Sequence, residues 1–156
     1  MTGASGSGTV ASGWFWKSVG VDRQASIGLI RSPHLAPQAP YAYAAVAQHV
    51  TRLVFTAGAC PLDASGNTVA PGDVVGQAEQ VMFNLEVALR ASGAGLDDVV
   101  KTTVYVASTR REDLVAVWDV VAGHFGGHDA PSTLLGVTML GYPGQLVEVE
   151  AVAALA

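Results

Sequence analysis

Near the C-terminus, Leu146-Val147-Glu148-Val149-Glu150 sets two carboxylates two positions apart among aliphatic residues. Alternate residues of an extended strand share a face, so Glu148 and Glu150 point one way and Val147 and Val149 the other. If the valines face a core, both acids lie on the opposite surface, where a carboxylate can orient a water and move protons. The alternative is a solvated polar strand face. Cys60 is either a thiol nucleophile or, as a lone cysteine usually is, a small apolar side chain; no histidine neighbours it in sequence. His34, His49, His124 and His128 have no HxH or HExxH spacing, so no metal site is expected. Gly93-Ala94-Gly95 and Gly126-Gly127 match no nucleotide-binding fingerprint and read as punctuation.

The elements that must position these groups are legible in outline. Residues 1–24 read as a flexible tail rich in Gly and Ser, interrupted by Trp14-Phe15-Trp16, a cluster costly to leave in water. The domain spans residues 25–156. Ile27 to Arg31 reads as a strand, and Pro33, Pro37 and Pro40 as a stiff link. Tyr41 to His49 and Arg52 to Ala57 read as two strands of a hairpin, followed by a turn-rich loop at 61–67. Asp73 is placed to cap a helix whose apolar positions are Val74, Ala78, Val81, Met82, Leu85, Ala88 and Leu89, and Gly93 to end it. Val99 to Ala107 reads as a buried strand. Thr109-Arg110-Arg111-Glu112 matches a capping box ahead of a helix with Leu114, Val117, Trp118, Val121 and Phe125 on one face. Thr133 to Met139 and Leu146 to Ala154 close the order β-β-β-α-β-α-β-β. This is an α+β fold, a mixed sheet of about six strands with two helices on one face.

Half of the 156 residues are hydrophobic and 13% are charged, enough for one sizeable core and with surplus apolar surface for a subunit interface. No apolar run approaches the roughly 18 residues that span a membrane, so no membrane partner is expected. The net charge of −5, with few scattered basic residues, argues against nucleic acid. One cysteine excludes an internal disulfide, and no signal-peptide pattern opens the chain, so a cytoplasmic protein is expected.

Several motifs, taken in order, resemble those of the reactive-intermediate deaminase family (RidA, or YjgF). They are Ala39-Pro40-Tyr41-Ala42-Tyr43-Ala44, Phe55-Thr56-Ala57-Gly58-Ala59-Cys60-Pro61-Leu62-Asp63, Gly72-Asp73 through Gln77 with Asn84-Leu85, Val99-Val100-Lys101-Thr102-Thr103-Val104-Tyr105, and Glu148-Val149-Glu150-Ala151. The resemblance spans roughly residues 27–155. It implies a chorismate-mutase-like fold and a homotrimeric barrel with small-molecule clefts between subunits. The implied activity is hydrolysis of reactive imines and enamines to the 2-oxo acid and ammonia, with no metal or organic cofactor.

The resemblance also assigns roles. Glu148 maps to the glutamate that holds the water. Tyr41 would line the cleft, or sit at the core edge. Gly58 would offer its backbone N–H, or permit close packing. Asn84 would serve the cleft or a structural hydrogen bond. Ser132 and Thr133 fall in the segment where the family reads Pro-Ala-Arg-Ser/Thr, with Ser132 in place of the arginine that binds the substrate carboxylate. Such a bond contributes about 1.5–3 kcal/mol. Ala57 stands where the family often has serine, and Ala42 replaces another small polar residue of the Tyr41 motif. These changes make the expected cleft less polar and suit a bulkier or less acidic ligand. A divergent deaminase is the first expectation and a non-catalytic metabolite-binding trimer the second. Ribonuclease, an activity of some family members, is the least expected.

Overall fold

The computed structural model describes residues 26–156; the expected tail and its aromatic cluster lie outside the described residues. In chain order the elements are β1 (Ser26–Ile30), β2 (Ala44–Gln48), β3 (Arg52–Phe55), α1 (Val74–Ala91), β4 (Val99–Val106), α2 (Arg111–Phe125), β5 (Ser132–Gly136) and β6 (Val147–Leu155). The fold is α+β, as expected, with α1 and α2 on one face of a mixed sheet. That sheet runs β3-β6-β4-β5, with β4 and β5 parallel and the other pairs antiparallel.

The six strands do not form one sheet. β1 and β2 pair with each other as a separate antiparallel ribbon, Ile27 opposite Ala47 and Ile30 opposite Ala44. The hairpin expected between β2 and β3 is therefore absent among the described residues. Residue alternation gives a strand its faces but not its partner. Here His49 takes a positive φ of 57° just after β2, and the Thr51 amide bonds the Leu155 carbonyl, which commits the next strand to β6.

Helix α1 forms for the reasons the spacing gave. Asp73 Oδ1 accepts from the amides of Val75 (3.0 Å) and Gly76 (3.1 Å), satisfying two otherwise orphaned donors. Ala78, Val81, Met82, Leu85 and Leu89 are then buried along one face, whereas Ala88, expected among them, is exposed at the edge of the stripe. In α2, Val117, Val121 and Phe125 are buried and Leu114 packs against the same core. The expected capping box does not form. Arg110 is the cap residue and makes no side-chain cap bond. The chain uses Ser108 instead, whose hydroxyl accepts from the Arg110 amide (3.0 Å) and donates to Asp113 (2.6 Å).

The helices cover Val104 and Val106 of β4 and Val147, Val149, Ala151 and Ala153 of β6, all buried. Burying a Val or Leu side chain contributes about 1.5–3 kcal/mol, so this layer carries much of the hydrophobic stabilisation. The register puts Glu148 opposite Tyr105 and Glu150 opposite Thr103. Both acids therefore lie on the sheet face away from the helices, as the alternation requires. That open face also carries Leu53 and Phe55, 55% and 71% exposed.

Candidate functional site

Glu148 sits on β6, the strand flanked by β3 and β4. After β3 the chain stays against β6: the Thr56 amide bonds the Ala151 carbonyl (3.0 Å), and Ala59 and Val149 exchange both backbone bonds (2.8 and 3.2 Å). Between these anchors β6 advances from 149 to 151 while the facing chain advances from 56 to 59. One extra residue is accommodated as a bulge at Ala57 and Gly58.

The bulge brings the Gly58 backbone against the Glu148 side chain. A Cβ built on Gly58 would overlap the carboxylate oxygen Oε1 and lie 2.7 Å from Cγ. The other oxygen, Oε2, accepts from Gln145 Nε2 at 2.9 Å, and Cys60 Sγ approaches it at 3.6 Å. Burial pushes the Cys60 thiol up from its usual range, and the Glu148 charge and hydrogen bond push the same way. A thiol held protonated is a poor nucleophile, so Cys60 serves here as a neighbour of the carboxylate.

Two buried glutamines and one asparagine build this arrangement. Gln145 is 4% exposed; its Oε1 accepts from the Tyr142 amide (3.0 Å) and its Nε2 donates also to the Val147 carbonyl (3.2 Å). Gln77 of α1 donates to the Gly144 carbonyl (2.9 Å) and accepts from the Leu146 amide (2.7 Å), bracketing Gln145 on both sides. Asn84 donates to the carbonyls of Cys60 (2.8 Å) and Leu62 (2.9 Å) and accepts from Gln80. It holds the loop beyond the bulge. Gln145 carried no motif in the sequence. The signal available was a polar side chain three positions before Glu148, in a segment whose turn conformation the sequence did not reveal.

The other named residues lie elsewhere. Glu150 is engaged by Tyr105 Oη (3.0 Å), a bond that, with burial, holds the phenol above its ordinary pKa. Thr133, exposed, pairs with Lys101 Nζ (2.6 Å) on the same sheet face; burial lowers the Lys101 pKa, against the pull of the Glu150 charge. Ser132 is on the helix side, where its hydroxyl accepts from Thr102 Oγ1 (2.8 Å). It lines a cavity of about 40 Å³ with Pro40, Trp118 and Phe125. Tyr41 packs edge-on against Trp118 and Tyr43, each with ring centroids 6.1 Å apart. Ala42 beside it is buried with its amide on the Asp129 carbonyl (2.8 Å), so Ala42 does not line an open cleft within the chain. Within one chain, then, Glu148, Gly58 and the exposed Ala57 come together, Asn84 supports them, and Tyr41 and Ser132 gather around Trp118 on the other side of the sheet.

Comparison with known proteins places this site in a context. The family model described as Endoribonuclease L-PSP matches residues 33–155. Protein DfrA of Myxococcus xanthus is 37% identical over 121 residues, covering 76% of this chain and 88% of that protein. The 2-iminobutanoate/2-iminopropanoate deaminase of Mus musculus is 35% identical over 118 residues, 76% of this chain and 84% of that enzyme. Among solved structures, YyfB of Yersinia pestis, a Rid-family protein of unknown function, superimposes with a TM-score of 0.77 at 31% identity, covering 83% of this chain and 98% of that one.

Proposed function

From the premise that the chain belongs to the RidA/YjgF family, we propose that it is a hydrolytic deaminase of a small reactive imine or enamine. The observation that carries this reading is the Glu148 carboxylate. It is held through Oε2 by Gln145 and leaves Oε1 against the bare backbone of Gly58. Among the described residues no protein donor bonds Oε1, so this oxygen is free to accept a hydrogen bond from water.

In the proposed reaction Glu148 takes a proton from that water as its oxygen bonds to the electrophilic imine carbon. The same carboxyl returns that proton to nitrogen, giving a carbinolamine; it then takes the hydroxyl proton and passes it to the amine as the C–N bond breaks, so that ammonia leaves a carbonyl product. One water is consumed, and nothing is oxidised or reduced. In this reading the sequence of steps draws on Glu148 and water, and no cofactor takes part in it.

Homotrimer formation belongs to the same reading. The exposed Leu53, Phe55 and Leu135 on the open sheet face are apolar surface of the kind that subunit contacts cover. A partner subunit there would enclose the Glu148 region. It would also bring residues of a neighbouring copy's open face, such as Thr133, into play. Native mass spectrometry tests the trimer.

A binding-only role is the second reading. It is favoured by Ser132, which lacks the family arginine's charge and is bonded to Thr102. The test follows ammonia and 2-oxo acid release from enzymatically generated 2-imino acids, small to aromatic, with wild type and Glu148→Ala. Release that is lost in the variant supports the deaminase. No acceleration by wild type on any of them supports binding alone.

A further inference from the structure

We infer that Gln145 is the positioning residue for Glu148: its amide grips Oε2, aims the carboxylate at the Gly58 backbone and leaves Oε1 for the reacting water. This inference rests on the deaminase reading above and adds to it a residue that selects which carboxylate oxygen works.

The orientation of the Gln145 amide is fixed by chemistry. The Tyr142 backbone N–H can only donate, so the atom it meets at 3.0 Å is the carbonyl Oε1 of Gln145. Nε2 must then face the Val147 carbonyl and Glu148 Oε2, both acceptors. The side chain has no room to turn, because it is almost fully buried and Gln77 fixes the backbone before and after it. A carboxylate on a strand retains rotational freedom about its own side-chain bonds. One short, charge-assisted bond from a fixed donor removes it. Cys60 closes the far side of Oε2, its thiol shared between that oxygen and the Gly58 carbonyl at 3.6 and 3.5 Å.

Cys60 also supplies a readout independent of turnover. Its thiol titrates high because of burial first and then Glu148; the Gln145 amide has the smallest effect and acts in the opposite direction. If Gln145 holds Glu148 in place, Gln145→Met frees the carboxylate to swing away, and the Cys60 pKa falls. If Gln145 only shapes the turn, Glu148 stays and the Cys60 pKa does not fall.

The experiment measures kcat and KM for imine hydrolysis and the pH profile of Cys60 alkylation by iodoacetamide. It compares wild type, Gln145→Met, Gln145→Glu and Glu148→Gln as full-length chains. We expect Gln145→Met to lower kcat by about 10- to 150-fold, the scale of one bond to a charged group, with little change in KM. Its alkylation profile should move to lower pH, toward that of Glu148→Gln. Gln145→Glu keeps the acceptor for Tyr142 and covers the case in which the methionine variant does not fold. Protonated, residue 145 again donates; ionised, it repels Glu148. Activity relative to wild type should therefore rise as pH falls. For a folded Gln145→Met, a Cys60 profile that does not move down overturns the inference whatever activity does. So does a kcat within twofold of wild type. If that variant does not fold, a pH-independent activity ratio for Gln145→Glu overturns it. A wild type that hydrolyses no imine, with a Cys60 profile that still shifts in Gln145→Met, defeats the deaminase reading alone.

Discussion

Replacing Gly58 with alanine should disable the site without unfolding the protein. The φ of Gly58 is outside the left-handed region, so its backbone suits any residue. What glycine provides is room. An added Cβ would overlap Glu148 Oε1 and sit 2.7 Å from Glu148 Cγ, well inside ordinary contact. Two responses are open. If the bulge backbone holds, Glu148 rotates away and breaks its 2.9 Å bond to Gln145. That forfeits about 1.5–3 kcal/mol of charged hydrogen bonding, a fall of about 10- to 150-fold in kcat/KM. If Glu148 holds, the bulge moves, at the cost of about 1–3 kcal/mol of stability that overpacking usually brings. The first response is the easier, because the end of Glu148 is a flexible side chain on the open face. The expected result is a large loss of imine hydrolysis with a Tm within a few degrees of wild type. A Gly58→Ala protein with wild-type kcat/KM would refute the geometry from which the site is argued.

Two helix glycines provide a matched pair. Gly123 of α2 has open space where a Cβ would stand, so Gly123→Ala should stabilise by about 0.5–1 kcal/mol through helix propensity, whereas Gly76→Ala would press on Asp73 Oδ2 (2.7 Å) and should destabilise; urea denaturation of both decides. Asn84→Ala removes both donors to the Cys60 and Leu62 carbonyls and should cost about 1–3 kcal/mol, together with activity; unchanged stability would mean that the loop is held by other contacts. His124 links Glu79 and Glu86 with both ring nitrogens at 2.9 Å. Burial opposes its charge, but the bonds and charges of the two glutamates outweigh it and raise its pKa. The raised folded-state pKa means that this stabilisation is complete below the ordinary histidine value of about 6.5 and is lost as pH rises through the folded value. Urea unfolding from pH 6 to 9 should therefore show a decline in wild type that His124→Gln lacks; parallel curves would contradict it.

The legible parts of this fold were those set by local periodicity. The two faces of β6, the Asp73 cap and the apolar stripes of both helices follow from side-chain spacing along one segment, and each is present. What spacing does not encode is the partner. β2 pairs with β1, not β3, because His49 and Thr51 redirect the chain. Thr109 and Glu112 have the residue types of a capping box, yet the helix begins where Ser108 and Asp113 can meet. At the site, Glu148 was readable because it breaks an apolar strand. Gln145 was not, since its role depends on a turn that folds residues 142–145 back toward the strand that follows.

That strand is internal, with β3 on one side and β4 on the other. Amides in such a position exchange with solvent only when most of the domain opens. The Glu148 carboxylate is thus carried by a strand expected to be among the last parts of the protein to yield, whereas the β1–β2 ribbon has only two strands and should open earlier. Heat inactivation should coincide with global unfolding instead of preceding it, and deuterium uptake at residues 147–155 should lag behind that of the ribbon.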